Sequence, residues 1–304
     1  MSVNLIKKRG FSMFEKIIGI ILSILTFVSS TFLGVAPKYE VFSNIAYGAG
    51  ERNVIDIYVP AKAYEKEANG CILFIHGGSW SSGSKDEMKG ECVALANEGY
   101  ITATMSYTLI NDENRNTSYS VMTVLDEITM AIEQIKKFSD EKGLNITKLA
   151  TSGYSAGAHL SMLYSYSRPE ESAIPLAFAA NKVGPSDFTT EAWGEAGPRI
   201  AKMLAGAALT QQYMNEGKEK ELIELVSPVY YVKENSIPSL LAYGGKDKTV
   251  PVGNADSVKK AFEESGATFD FILFPFSDHI LIFAPFSSVQ YNLKLKDYCN
   301  KYFP

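Results

Sequence analysis

The chain is poor in the residues that carry metal, redox and disulfide chemistry. Of its 304 residues, three are cysteine, three are histidine and two are tryptophan. Cys71, Cys92 and Cys299 are too few for a disulfide framework, and their spacing matches no metal site. Positive charge is also in deficit. Lysine and arginine number 29 against 34 acidic residues, a net charge of −5, so no basic field exists to gather a polyanion and nucleic acid is excluded as a partner. Internal repeats and low-complexity tracts are absent, as are nucleotide-binding loops and metal-ligand clusters, so no cofactor is expected. What remains is ordinary for a protein with a packed core: 46% hydrophobic and 21% charged residues, in a length that suits one large α/β domain or two small ones.

The N-terminus departs from this composition. Lys7, Lys8 and Arg9 form a basic lead, and no charge follows from Ile17 to Ala36. Small residues then trail the apolar stretch at Ser29, Ser30, Gly34 and Ala36. Residues 1–36 therefore read as a secretory signal peptide, or as an uncleaved membrane anchor, since about 20 apolar residues span a bilayer. On either reading residues 37–304 form the remaining domain, and it is expected to be exported: secreted, or held at the membrane on its outer side.

From residue 40 onward short apolar runs alternate with helical patterns. Residues 41–47 and 54–59 are strand-like and flank the Gly48-Ala49-Gly50 turn, as in a hairpin. Further strands are expected at 71–75, 100–105, 148–152, 175–183, 239–243 and 268–274. Ser84-Lys85-Asp86-Glu87 is a capping-box pattern that predicts a helix running to Gly99. Val121, Val124, Leu125, Ile128, Ile132 and Ile135 keep helical spacing, and Gly143 closes that helix. Helices are also expected from Ser155 to about Ser167, between Pro251 and Gly266, and over 287–302. This alternation implies a mainly parallel sheet of about eight strands with helices on both faces. Residues 184–233 break the rhythm with helical pieces and no clear strand. They read as a small helical cap over the sheet's C-terminal edge, where ligands bind in open α/β sheets.

Gly153-Tyr154-Ser155-Ala156-Gly157 is a G-x-S-x-G, which chance produces in roughly one chain in ten of this length. Its context raises its weight, because a strand precedes it and a helix follows. Such a turn lifts a serine hydroxyl clear of the sheet. His76-Gly77-Gly78-Ser79-Trp80 follows the 71–75 strand. In acyl transfer a negative oxygen develops in the transition state, and backbone N–H groups must already face it. Gly77 and Gly78 let the backbone approach closely, and Ala156 N–H, just after the serine, would be a further donor. Trp80 reads equally as a wall of the acyl pocket or as core packing, and Tyr154 is placed with it as a pocket candidate.

A serine hydroxyl needs a base, and the base needs an acid to orient it. His76 belongs to the glycine loop and reads as structural. His159 lies one helical turn after Ser155, directed into the domain, and also reads as structural. His279 remains, in a loop after the last strand, where the base should sit. Asp247 follows the 239–243 strand and is the leading acid; Asp187 is its rival, and Asp278 is too close to His279 in the chain to hold the ring. Asp126, in mid-helix, reads as a structural tie. The order Ser155, Asp247, His279 is the nucleophile, acid, base order of one well-known fold.

With these motifs the sequence resembles the esterase/lipase branch of the α/β-hydrolase superfamily, and especially its small carboxylesterases and acetyl-esterase-like enzymes, in which Gly153 to Leu160 (GYSAGAHL) has close counterparts. The resemblance covers about residues 40–304. It implies the α/β-hydrolase fold, a triad of Ser155, Asp247 and His279, and an oxyanion hole at Gly77, Gly78 and Ala156. Two positions depart from the pattern: Ser79 replaces a third glycine, and Met105-Ser106-Tyr107-Thr108-Leu109 lacks the arginine often found after the tyrosine. Neither belongs to the triad. The expected activity is hydrolysis of short-acyl or small carboxylic esters through an acyl-enzyme, with a small-molecule ester as partner. The alternatives are an amidase or arylformamidase using the same machinery, and a non-catalytic binding protein on this scaffold.

Overall fold

The computed structural model describes residues 38–111, 119–281 and 285–304. The expectation of a leader at residues 1–36 lies outside them. Eight strands form one sheet: β1 (Tyr39–Ala46), β2 (Val54–Pro60), β3 (Asn69–Ile75), β4 (Ile101–Ser106), β5 (Ile146–Tyr154), β6 (Leu176–Lys182), β7 (Ser239–Gly244) and β8 (Phe269–Phe274), in the order β1-β2-β4-β3-β5-β6-β7-β8. β1 with β2 and β2 with β4 pair antiparallel, and every other pair is parallel. The strand positions follow the sequence expectation to within one or two residues at most ends.

The sheet is covered on both faces, and β3 shows why its sequence is a continuous apolar run. All seven of its residues are buried. Cys71, Leu73 and Ile75 enter one core while Ile72 and Phe74 enter the other, as the two-residue period of a strand requires. Helices α1 (Lys89–Glu98), α2 (Val121–Lys142) and α3 (Ala156–Ser167) come from the first half of the chain. α1 contributes Cys92, Leu95 and Ala96 to one face, and α2 and α3 cover the other.

α2 follows its apolar stripe. Val121, Val124, Leu125, Ile128, Ile132 and Ile135 are all fully buried, each contributing about 1.5–3 kcal/mol of hydrophobic stabilisation. Its ends are set by a reciprocal cap, in which Ser120 Oγ accepts from Met122 N–H and Thr123 Oγ1 accepts from Ser120 N–H, each at 3.2 Å, and by Gly143 in a left-handed conformation. The capping pattern at Ser84 behaves differently. Ser84 Oγ accepts from Asp86 N–H at 3.3 Å and opens a 3₁₀ turn (Lys85–Met88), after which α1 begins.

Between β6 and β7 the chain forms α4 (Thr190–Trp193), α5 (Ala196–Asn215) and α6 (Glu219–Val226), then a 3₁₀ turn (Pro228–Tyr231). Phe188, Ala201, Leu204, Leu222 and Val226 of this region are buried in the same core as α2 and α3. Most of its apolar side chains therefore dock the helices rather than line an open space, whereas Met203 and Met214 face solvent. α7 (Gly253–Ser265) and α8 (Pro285–Tyr302) complete the architecture. Among the described residues no helix is long and apolar enough to cross a membrane.

The sheet fixes where a site can form. From β3 the chain passes to β4 on one side, and from β5 it passes to β6 on the other, so β3 and β5 are neighbours whose connections diverge. That divergence leaves a crevice at their C-terminal ends. The glycine loop leaves β3 there, and Ser155 leaves β5.

Candidate active site

Ser155 sits between the last residue of β5 and the first of α3 with φ 54° and ψ −121°. A non-glycine residue in this region carries strain of order 1–3 kcal/mol, tolerated only where its surroundings over-determine the geometry. They do so here. Ser155 N–H donates to Lys182 O at 3.0 Å, and Ser155 O accepts from His159 N–H at 3.0 Å. α3 starts so close under β3 that a Cβ on Gly157 would lie 2.0 Å from Ile75 O. Only glycine allows that approach.

His279 follows β8 and reaches back to the serine. Ser155 Oγ–H donates to His279 Nε2 at 2.8 Å, and His279 Nδ1–H donates to Asp247 Oδ2 at 2.7 Å. The Asp247 side chain is 1% exposed, and its other oxygen accepts from Thr249 N–H at 2.8 Å and Val250 N–H at 2.9 Å. The carboxylate is thus held by two backbone donors in the loop after β7, with one oxygen left for the imidazole. The rival acid is committed elsewhere: Asp187 accepts from Thr189 N–H at 3.0 Å and from Ser257 Oγ–H at 2.9 Å. Asp278 caps its own loop through Ile280 N–H, and Asp126 pairs with Arg168 at 2.5 Å.

The glycine loop lies beside the serine. A Cβ built on Gly77 would stand 3.4 Å from Ser155 Cβ. Gly78 has φ +96°, with Ser82 O where a side chain would go, so this position also needs glycine. Ala156 opens α3, where an N–H has no acceptor within the helix. Ser79 and Trp80 follow with φ of 49° and 59°, two successive non-glycine residues in the left-handed region.

Several side chains hold this strained loop, and the sequence offered little signal for them. Tyr107 stacks on His76 at 4.2 Å, and its hydroxyl donates at 3.3 Å towards the carbonyls of His76 and Gly77. Arg52 donates to Tyr107 O at 2.9 Å and to Gly83 O at 2.6 Å, joining the end of the glycine loop to the segment that follows β4. His76 itself turns Nδ1–H onto Gly77 O at 2.8 Å and is fully buried. Trp80 is only 5% exposed and takes the packing role. Its indole N–H donates to His159 Nδ1 at 3.0 Å, and its ring packs against His159 and Phe188. Tyr154 bridges to the other side: its hydroxyl donates to the His279 carbonyl.

His159 is fully buried and passes the contact on, donating Nε2–H to Val226 O at 2.8 Å. It thereby links the glycine loop to α6. Burial lowers the pKa of both His76 and His159 from 6.5 to about 4, so each stays neutral in the folded protein. The unfolded chain takes up these protons as pH falls below 6.5 and the folded chain does not until about 4. Stability is therefore lost across that window, by about 2 kcal/mol per histidine between pH 7 and pH 5. Denaturant unfolding at the two pH values should show this loss. His159→Gln, which keeps an acceptor for Trp80 and a donor for Val226, should lose about 2 kcal/mol less; an equal loss in the variant would refute the assignment.

Among the described residues no group of three or more His, Cys, Asp or Glu side chains is placed to hold a metal ion. A hydroxyl, an imidazole and a buried carboxylate in series, beside a glycine loop and a helix N-terminus, form an arrangement that can activate an oxygen nucleophile and stabilise an oxyanion.

The sheet order, the elbow and the position of these groups on the C-terminal edge define an α/β-hydrolase. The family model BD-FAE matches residues 55–262, more than half of the chain, and the protein belongs to the BD-FAE family. This agrees with the esterase branch to which the sequence motifs point. Kynurenine formamidase of Salmo salar is 28% identical over 124 residues, which cover 41% of this chain and 38% of that one. Esterase LipC of Mycobacterium tuberculosis is 23% identical over 231 residues, covering 72% of this chain and 54% of the relative. The chain thus matches less than two thirds of the length of these curated relatives. In fold it is similar to a truncated carbohydrate esterase from gut microbiota, with TM-score 0.70 and 17% identity over 88% of this chain and 98% of that one. It is also similar to esterase B of Lactobacillus rhamnosis, with TM-score 0.67 and 16% identity over 94% and 95% of the two chains.

Proposed function

We propose that the protein is a serine carboxylic-ester hydrolase that acts on short-acyl or small esters through an acyl-enzyme. The observation that carries this reading is the single imidazole of His279, within 2.8 Å of Ser155 Oγ and 2.7 Å of Asp247 Oδ2. Ser155 Oγ attacks the ester carbonyl carbon as His279 Nε2 takes its proton, and Asp247 stabilises the imidazolium that results. The carbonyl oxygen becomes an oxyanion facing the N–H groups of Gly77, Gly78 and Ala156. The intermediate collapses, breaking the C–O bond to the alcohol, which leaves with the proton from His279. Water then repeats the sequence on the acyl-serine and releases the acid. Membership of the BD-FAE family and the esterases among its relatives support the reading.

A second reading is favoured by one observation, the similarity to a kynurenine formamidase. The same groups would cleave a formyl amide by the same steps, with an amine as the leaving group. The deciding experiment pairs p-nitrophenyl acetate and butyrate with N-formyl anilides of matched size, beside labelling by a fluorophosphonate probe. Ester turnover well above amide turnover, with the probe on Ser155, is the expected result. Preferred amide turnover would establish the formamidase reading. A folded protein that takes no probe and turns over neither substrate would overturn both.

A further inference from the structure

Ser155 leaves β5 and His279 follows β8, and β6 and β7 lie between those two strands. Three strand spacings set β5 and β8 about 14 Å apart across the sheet. The imidazole must nevertheless meet the serine oxygen to within a few tenths of an ångström. Packing alone gives the His279 loop little help. Of its large apolar side chains Leu281 is buried, but Phe276 and Ile280, on either side of His279, are 71% and 62% exposed.

Among the described residues two contacts from other elements hold the main chain of this loop. Lys246 N–H donates to Ser277 O at 2.9 Å, and the Tyr154 hydroxyl donates to the carbonyl of His279 itself. Tyr154 immediately precedes Ser155, so this bond ties the main chain of the imidazole to that of the serine without passing through β6 or β7. The Tyr154 ring also stands edge-on to the imidazole, with centroids 5.6 Å apart and planes at 61°. The same residue lies against the glycine loop: a Cβ built on Gly77 would stand 3.5 Å from Tyr154 Cδ1 and 3.0 Å from Tyr154 O. One residue, next in the chain to Ser155, therefore touches both the imidazole's loop and the loop that faces the serine.

We infer that Tyr154 is a positioning residue, whose hydroxyl bond to the His279 carbonyl holds the imidazole in register with Ser155 Oγ. The role rests on the acyl-enzyme reading above. The phenol moves no proton and touches no reacting atom; it removes freedom from the loop that carries the base. Asp247 cannot do this, because it bonds the ring at Nδ1 and leaves the main chain of His279 unrestrained. The effect is large because a misplacement of about 1 Å costs up to about 100-fold in rate.

The test is Tyr154→Phe, which keeps the ring and deletes only the hydroxyl. On p-nitrophenyl butyrate kcat should fall about 10–100-fold, with KM within about twofold of the parent and the melting temperature within about 3 °C. A merely structural role would lower the melting temperature and leave kcat of the folded protein at the parent value, and that result overturns the inference. A second measurement does not depend on ester hydrolysis. Proton NMR reads the His279 Nδ1–H, which donates to Asp247 at 2.7 Å. The parent should show this proton as a protected downfield resonance, and Tyr154→Phe should broaden or lose it through faster exchange with water. An unchanged resonance in the variant overturns the inference, as does a parent without such a resonance. A parent that turns over no ester would instead overturn the proposed function, and the resonance would still decide whether the Tyr154 hydroxyl holds the imidazole.

Discussion

Ser155→Ala is expected to lower kcat on a short p-nitrophenyl ester by about 10⁵–10⁶-fold while leaving the protein folded. The variant keeps the glycine loop, the imidazole and the carboxylate, and loses only the oxygen that would form the acyl bond in the proposed mechanism. Its small residual rate comes from whatever the loop and helix N-terminus do for an oxyanion formed by water attack. The stronger form of the test adds His279→Ala. In the proposed mechanism serine and histidine, joined by the 2.8 Å contact, act as one unit, so the double variant should be no slower than Ser155→Ala alone. Multiplicative losses would mean that the two side chains work separately, and a Ser155→Ala protein retaining more than about 1% of the parent rate would end the acyl-enzyme reading. Stability should change little. The strain of φ 54° at this position belongs to the backbone, and alanine shares it.

Gly157→Ala is expected to have the largest effect on folding, more than about 4 kcal/mol. The added Cβ would meet Ile75 O at 2.0 Å and His76 O at 2.4 Å. Both are backbone atoms at the end of β3, a fully buried central strand that cannot move aside. Relief would require α3 to lift off the sheet, breaking the elbow that presents Ser155. Gly90→Ala is the matched control. It lies inside α1 with nothing within 4 Å of the new Cβ, so the helix should gain about 0.5–1 kcal/mol. Thermal melts of the two variants beside the parent decide the matter. A Gly157→Ala protein that melts with the parent would show that α3 does not seat against β3 at this distance.

Much of this molecule was legible in the chain because its cues are local or periodic. The run from Cys71 to Ile75 has to be a strand covered on both sides, and the stripe from Val121 to Ile135 has to be a helix with one buried face. Glycine at 153 and 157 around a serine, between a strand and a helix, marks a sharp turn. With only three histidines in 304 residues, the search for a base was short. The same reading named Asp247 and His279 by their place after the seventh and eighth strands, and the structure sets both side chains in line with Ser155.

What the chain alone left undecided depends on contacts between residues far apart in sequence. Trp80 was read equally as pocket wall or core, and its indole bond to His159, 79 residues away, makes it core. Asp187 could be set aside as the acid only once its carboxylate was found on Thr189 N–H and Ser257. Arg52 and Tyr107 carry no motif, yet they pin the strained turn at Ser79 and Trp80. Tyr154 is a pocket candidate from the motif, and the bond from its hydroxyl to the carbonyl of His279, 125 residues on, is a contact that the motif does not reveal. Sequence by itself determined the elements, their order and the residue types at the site, because propensity and periodicity act over a few residues. The tertiary structure alone decided which polar groups meet, because a hydrogen bond is fixed by distances of a few tenths of an ångström that no short-range pattern encodes.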